Sequence, residues 1–293
     1  MKPSAFTYHR PRSLDEALDV LASLGADGKV LAGGQSLVPL MSMRLSAPAA
    51  LVDVNHVPGL AGVEVGADTV RVGALARHSA VEHDEAAYAA LPLLRQALVH
   101  VAHPTIRNRG TTVGSLVHGD PAAEMPAVLR LLDGSVTLRS AEGTRDVPAA
   151  DFFLGPLETD LRPGELAVAA TFRRPPAGCG SAFVEVARRH GDYAVCGVAA
   201  VVSPAADRVH ARLAYVSMGP TPPVAGIDVP VPPDPAAPRS WEEPAGAAVA
   251  GLEPEGDIHA TADYRLHLAR VLTARALARA WSASAARRGE EAG

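Results

Sequence analysis

Two segments of the 293-residue chain combine glycine with hydroxyl-bearing residues at spacings suited to holding a ligand by its backbone. The first is Ala32-Gly33-Gly34-Gln35-Ser36-Leu37, directly after a short run of strand-forming residues. Glycine lets the chain turn sharply and bring N–H groups close to a ligand where a Cβ would obstruct. Ser36 adds a hydroxyl at the expected first turn of the next helix. Together these make an anion cradle suited to phosphate. The same residues also suit a tight strand-to-helix turn. They match neither G-x-G-x-x-G nor G-x-x-x-x-G-K-[ST], so the pattern alone names no ligand.

The second segment, Gly110-Thr111-Thr112-Val113-Gly114-Ser115, offers hydroxyls and backbone amides in close succession. Asp120 and Glu124 follow at a spacing that reaches ribose or ribityl hydroxyls. Two cradles far apart in sequence point to a cofactor with an extended diphosphate, clamped between two lobes. Arg107 and Arg109 beside the second cradle would neutralise such a diphosphate or form surface ion pairs. His100, His103 and His118 lack a nearby Cys or carboxylate that would complete a metal site, and are read as solvated or hydrogen-bonded. Arg188, Arg189 and His190 read as a solvated turn. The chain has two cysteines, Cys179 and Cys196, too few for a four-ligand zinc or iron–sulfur site, so any iron–sulfur chemistry would have to sit on another chain. Both are expected as buried thiols, and Cys196, in an apolar run, as inert.

The elements that position these segments are legible in outline. Ser13 and Glu16 form a capping box for a helix whose apolar face is Leu14, Leu18 and Leu21, stopped by Gly25. Strands are expected at Lys29–Leu31, Ala50–Val54, Thr69–Val72, Val136–Leu138 and Leu166–Phe172, with a long helix from about Asp84 to Val101. A break at Pro175–Gly180 precedes three β-rich runs, Ala182–Val186, Val195–Val202 and Val209–Val216. Gly219–Glu255 is rich in proline and glycine and reads as a long surface connection. Thr261 caps a last helix with Tyr264, Leu268, Val271 and Leu272 on one face, and the tail from Ser282 is expected to fray.

Composition excludes several classes. A hydrophobic share of 48% against 20% charged residues rules out global disorder. A net charge of -5 argues against nucleic-acid and anionic-membrane partners. No apolar run approaches the roughly 20 residues of a bilayer span, and the N-terminal residues lack a signal-peptide core, so a cytoplasmic chain is expected.

At the two cradles the sequence resembles a known family. Leu31 through Leu37 with Pro39, and Ile106-Arg107-Asn108-Arg109-Gly110-Thr111 through Asp120-Pro121-Ala122-Ala123-Glu124, closely resemble the FAD-binding medium subunit of the molybdenum hydroxylases, the xanthine dehydrogenase and carbon monoxide dehydrogenase family. The likeness covers nearly the whole chain: Lys2-Pro3 with Phe6 and Tyr8, Asp151-Phe152-Phe153 to Glu165, Gly191-Asp192-Tyr193-Ala194, and Tyr264-Arg265. It implies an α+β chain with a two-lobed FAD-binding domain of the PCMH/vanillyl-alcohol-oxidase type over 1–176, its lobes about 1–57 and 58–176. A small domain over 177–285 with a three-stranded antiparallel sheet and helices would follow, then a frayed tail over 286–293.

The resemblance further implies that Ala32, Gly33, Gly34, Gln35, Ser36 and Leu37 grip the FAD diphosphate from one side, and Thr111, Thr112, Val113, Gly114 and Ser115 from the other. Asp120 or Glu124 would bind sugar hydroxyls, His118 would lie beside the flavin, Leu161 near the cofactor, and Tyr193 would approach the isoalloxazine ring. No metal ligand and no catalytic side chain is implied. Electrons would come from an iron–sulfur small subunit, fed by a molybdopterin large subunit, and leave through FAD to an external acceptor. The alternatives are a stand-alone FAD-dependent oxidoreductase acting on a small molecule and, more remotely, a scaffold without flavin. Three departures from the family pattern stand out. Val113 replaces a glycine, and valine does not readily take a positive φ. Glu185 stands where a basic residue is common. Gly219–Pro238 replaces a more regular segment.

Overall fold

The structure is a computed structural model that describes residues 2–291. The first lobe holds β1 (Thr7–His9), α1 (Leu14–Leu24), β2 (Gly28–Leu31), α2 (Leu37–Ser42) and β3 (Ala50–Asp53), with the strands in one parallel sheet ordered β1-β3-β2. The Glu16 amide donates to Ser13 Oγ at 3.1 Å while Glu16 Oε2 accepts from the Arg12 amide at 2.6 Å, so the capping pair closes one residue earlier than expected. Ala17, Leu18 and Leu21 bury the inner face of α1 against Val52 and Val54. Parallel pairing of β2 and β3 carries both strands out at the same edge, where Ala32 and Asn55 emerge side by side.

The second lobe runs through β4 (Val63–Val65), β5 (Thr69–Gly73), α3 (His78–Glu82), α4 (Glu85–Ala90), α5 (Pro92–Leu98), α6 (Pro104–Arg107), α7 (Thr112–His118), α8 (Glu124–Leu131), β6 (Ser135–Ser140), β7 (Gly143–Pro148), α9 (Ala149–Phe152), β8 (Phe153–Gly155), β9 (Glu158–Thr159) and β10 (Leu166–Arg173). Its main sheet is antiparallel and ordered β4-β5-β10-β6-β7. The long helix expected from Asp84 to Val101 is broken. Pro92 forces Leu91 out of the helical region, to φ -147° and ψ 75°, and itself starts α5 as its first residue.

The last part holds β11 (Gly180–Ala187), β12 (Ala194–Pro204), β13 (Arg208–Val216), β14 (Val224–Pro230), α10 (Glu242–Val249) and α11 (Ala262–Glu291). Its antiparallel sheet has four strands, not three. The fourth is β14, drawn from the supposed surface connection. Its alternation, with Ala225, Ile227 and Val229 inward, suits an edge strand, where prolines are tolerated. The same connection supplies the fully buried Trp241, whose indole donates to the Pro235 carbonyl at 2.8 Å.

β12 is buried from Ala194 through Val202 because the sheet is covered on both faces. Ala194, Ala199 and Val201 join the second-lobe core, while Val195, Cys196, Val198, Ala200 and Val202 pack toward α10 and α11. The tail does not fray at Ser282: α11 continues to Glu291, and residues 292 and 293 lie outside the described residues. Small residues permit a close approach here, since a Cβ on Gly180 would overlap the Ala280 carbonyl and the Ser284 amide. The packed face of α11 is Leu268, Ala269, Leu272, Ala276, Leu277 and Ala280, whereas Tyr264 is exposed.

Candidate functional site

A cleft of about 630 Å³ opens where the two lobes and the final sheet meet, within the range usual for small-molecule and cofactor sites. Ala32, Gly33, Gly34, Gln35, Ser36 and Leu37 line one side. Thr111, Val113, Gly114 and Ser115 line the other, with His118, Asp120, Glu124, Leu161 and Tyr193. Thr112 is the exception. It is fully buried behind the loop, its hydroxyl 3.2 Å from His78 Nδ1 and its amide bonded to the Ala76 carbonyl at 3.3 Å.

The loops touch each other. A Cβ on Gly33 would lie 2.6 Å from the Arg109 carbonyl oxygen and 2.8 Å from Gly110 Cα, so only glycine lets the backbones meet. Gly34 has a left-handed φ of 73°. The Gln35 side-chain amide donates through Nε2 to the Gly33 carbonyl at 3.0 Å, folding the loop on itself. Ser36 precedes α2 without making a side-chain cap bond.

The second loop is not a glycine turn but the start of α7. Thr111 Oγ1 accepts the Gly114 amide at 3.1 Å as an N-cap, and Gly119, at φ 64°, ends the helix. Val113 is therefore an ordinary helical residue, buried at 2% exposure, and needs no positive φ. The tight position is Gly114, where a Cβ would come within 2.6 Å of Thr111 Oγ1, a side-chain hydroxyl that can rotate away.

The electrostatics of the cleft are muted. Burial, with the Arg107 charge, pushes His78 down to about 4. Burial also lowers His118, aided by Lys29. Glu124 is buried, and desolvation with the nearby Glu185 carboxylate pushes it up to about 8, so it is neutral at pH 7. Burial in the cleft walls and the Asp120 and Glu124 carboxylates raise the Tyr193 phenol, although its ring is exposed at the mouth. Asp120 Oδ1 accepts the Ala122 amide at 2.8 Å.

The arginines suggested by sequence do not line the cleft. Arg107 is buried and paired with Glu82 at 2.7 Å, and Arg109 contributes its backbone rather than its guanidinium. The lysine that does line it is Lys29, on β2, which sequence reading had passed over as a strand residue. Glu185 is engaged away from the cleft lining, 3.3 Å from His100 Nδ1. His103 packs over Gly191, where a Cβ would come within 2.6 Å of the imidazole. The three histidines thus go separate ways, and no group of three potential metal ligands occurs among the described residues. Both cysteines are free and buried, and burial pushes the Cys196 thiol up to about 12.

Residues 4–172 match the family described as the FAD binding domain in molybdopterin dehydrogenase, and residues 181–280 the CO dehydrogenase flavoprotein C-terminal domain. The chain belongs to the FAD-binding medium-subunit family of the molybdenum hydroxylases. It is 40% identical to the 6-hydroxypseudooxynicotine dehydrogenase complex subunit alpha of Paenarthrobacter nicotinovorans, over 96% of each chain. It is 35% identical to the carbon monoxide dehydrogenase medium chain of Hydrogenophaga pseudoflava, over 96% of this chain and 99% of that one. The structure of quinoline 2-oxidoreductase from Pseudomonas putida 86 superposes with a TM-score of 0.89 at 36% identity, covering 97% of this chain and 99% of that chain.

As a medium subunit the chain is the FAD-binding part of an oxidoreductase, and its relatives are parts of multisubunit dehydrogenases. The cleft fits that cofactor on its own terms: Gly33 lets the loops of two lobes close into one cradle, and the walls offer amides and hydroxyls rather than guanidinium groups. No helix among the described residues is long and apolar enough to cross a membrane.

Proposed function

We propose that this medium subunit holds FAD in the cleft and serves as an electron relay. It would draw on iron–sulfur clusters of a small partner chain, fed by a molybdopterin-bearing large chain, and deliver to an external acceptor. Bound FAD would supply reversible one- and two-electron chemistry that no side chain here can supply. The chain's own residues bind, orient and shield.

The observation that carries the reading is the contact of Gly33 with Arg109 and Gly110, which makes one cradle out of loops from two lobes. Amides of Ala32 to Ser36, with the Ser36 and Ser115 hydroxyls, would hold the diphosphate. Lys29 is the one lysine or arginine lining the cleft among the described residues, so the diphosphate charge would be met mainly by backbone dipoles. Asp120, with one oxygen on the Ala122 amide and its carboxylate beside the Tyr193 phenol, would accept from a sugar hydroxyl. Glu124, held neutral, can donate as well as accept. Leu161 and His118 would wall the cleft, and Tyr193 would face the ring system from the mouth.

The test begins with the visible spectrum of the isolated chain and chromatography of any released flavin. It continues with anaerobic reduction in the presence and absence of the partner chains. Stoichiometric FAD, reduced by the complex's substrate only when both partners are present, is the expected result. Direct reduction of the isolated flavoprotein by a small molecule would establish a stand-alone oxidoreductase instead. A colourless chain that takes up no added FAD would sink both readings.

A further inference from the structure

Behind the cradle lies a hydrogen-bond chain that belongs to neither loop. The Tyr8 phenol donates to Asp53 Oδ2 at 2.5 Å. Asp53 Oδ1 accepts both the Asn55 backbone amide at 3.0 Å and the Asn55 side-chain amide at 2.6 Å. The same Asn55 Nδ2 donates to the Ala32 carbonyl of the first loop at 2.8 Å. Asn55 Oδ1 accepts Arg77 Nη2 at 2.7 Å, and Arg77 Nη1 donates to the Arg109 carbonyl of the second loop at 2.5 Å. That carbonyl is the atom pressed against Gly33.

We propose that Asn55 and Arg77 are positioning residues that hold the two loops of the FAD cradle in register, by tying the Ala32 carbonyl to the Arg109 carbonyl through one side-chain bridge braced by Asp53 and Tyr8. The proposal rests on the reading of the cleft as the FAD site. Each donor and acceptor has a distinct job. The Asn55 amide orientation is fixed by its partners, since its nitrogen faces two oxygens and its oxygen faces a guanidinium. The planar Arg77 fork reaches two acceptors on different lobes at once, which a lysine does not reproduce.

The backbone around Arg77 is anchored to the second loop as well: Arg77 forms a bridge with Thr111, and the His78 amide donates to the Gly110 carbonyl at 3.0 Å. The side chain of Arg77 therefore adds the cross-link to the first loop rather than the attachment to the second. Burial alone would raise the Asp53 carboxyl, but the bonds from Tyr8 and Asn55 hold it below its ordinary value, so it remains an anion able to orient the Asn55 amide.

The experiment strips the full chain of flavin, titrates FAD back by fluorescence quenching, and records visible circular dichroism of the bound flavin. Amide exchange of the segments containing 32–37 and 109–115 is followed in the apoprotein. Asn55→Asp keeps shape and the Arg77 bond but loses the donor to Ala32 and sets a second carboxylate beside Asp53. It should weaken FAD binding about tenfold or more, alter the visible dichroism and speed exchange in the first loop. Arg77→Lys should weaken binding about three- to tenfold, and Tyr8→Phe about twofold, in that order. Arg208→Met, at an exposed ion pair remote from the cleft, serves as the control and should change none of these.

Parental FAD affinity, dichroism and loop exchange in folded Asn55→Asp and Arg77→Lys would overturn the proposal. Should Asn55→Asp fail to fold, Arg77→Lys and Tyr8→Phe decide it alone. A parent chain that takes up no FAD refutes the cofactor reading instead, and the apoprotein exchange data then judge the bridge by themselves: faster exchange supports it, and unchanged exchange refutes it.

Discussion

The two loops that meet at Gly33 are built in opposite ways. The second is stiffened from within: Thr111 caps α7, Thr112 is buried against His78, and Gly119 closes the helix about two turns later. The first has no comparable internal frame. Apart from the Gln35 amide folding back on Gly33, its support comes from Asn55 at the end of β3. The obstructions to a side chain differ accordingly. At Gly33 they are backbone atoms, which cannot step aside, whereas at Gly114 the obstacle is a threonine hydroxyl, which can rotate. A self-framed loop absorbs local change, and a loop propped from outside passes it on to its neighbour.

The largest effect that would sharpen this contrast is expected at Gly33. Gly33→Val must displace the Arg109–Gly110 backbone, at a cost of about 1–3 kcal/mol from overpacking, and FAD affinity should fall about a hundredfold in a titration. Parental affinity in this variant would remove the rigid contact on which the contrast rests.

Next comes pH. The cleft-lining groups with lowered histidine or raised carboxyl values, His78, His118 and Glu124, all stand on the second loop's side. Glu124 has a folded value of about 8 against an ordinary 4.5, so as pH rises the unfolded chain releases this proton first. The Glu124 contribution to apoprotein stability therefore declines between those two values and levels off above about 8, while His78, pushed down to about 4, contributes in the opposite sense between that value and its ordinary 6.5. Glu124→Gln should abolish that decline and exceed the parent by about 2 kcal/mol at pH 8.5, with the advantage vanishing near pH 4. Urea unfolding across this range measures it, and parallel pH profiles for the two proteins would show that Glu124 is not held neutral.

A smaller effect separates the two hydroxyls. Thr111→Ala removes a helix cap and should cost the apoprotein about 1 kcal/mol, while Ser36→Ala, which caps nothing, should stay within about 0.5 kcal/mol. FAD titration should reverse the ranking for Ser36, with about a threefold loss for a single lost hydrogen bond. The smallest change belongs to Gly114→Ala. Its gain in helix propensity of about 1 kcal/mol offsets the loss of the rotated Thr111 cap, and calorimetry should find a melting point within a few degrees of the parent. A collapse as deep as that of Gly33→Val would erase the difference between the loops.

Both loops stand out in the sequence as glycine and hydroxyl clusters at strand and helix ends, but each alone suits a tight turn equally well, and their pairing together with the family resemblance singles them out. The capping pair at Ser13, the strands around Ala50 and Thr69, and the β-rich runs after Gly180 followed from local patterns that tertiary packing left in place. Other features depend on partners distant in sequence. β14 takes its place as an edge strand only because β13 is there to pair with it, and proline content disguised it. The break at Pro92 is signalled by the residue itself, but the apolar periodicity continues across it and favours one long helix.

In the site, Thr112 and Thr111 look interchangeable in sequence, yet helical geometry sends one inward and leaves the other at the cap. Arg107, beside the loop, suits a diphosphate or an ion pair equally in sequence, and Glu82, on another helix, decides for the ion pair. Lys29, Asn55 and Arg77 carry no local signature at all: their positions follow from the parallel pairing of β2 with β3 and from the fold of the second lobe around them.

The burial of the two cysteines has a further consequence for the durability of the protein. A chain that keeps company with a redox cofactor works where oxidants are generated, and thiolates are the side chains such oxidants attack first. Here Cys196 is fully enclosed in β12 with its thiol pushed up to about 12, and Cys179 is enclosed beside Ser203. Neither sulfur is presented at the surface, so oxidative damage linked to turnover is expected to begin elsewhere, and non-reducing electrophoresis of air-exposed protein should find no cross-linked dimer.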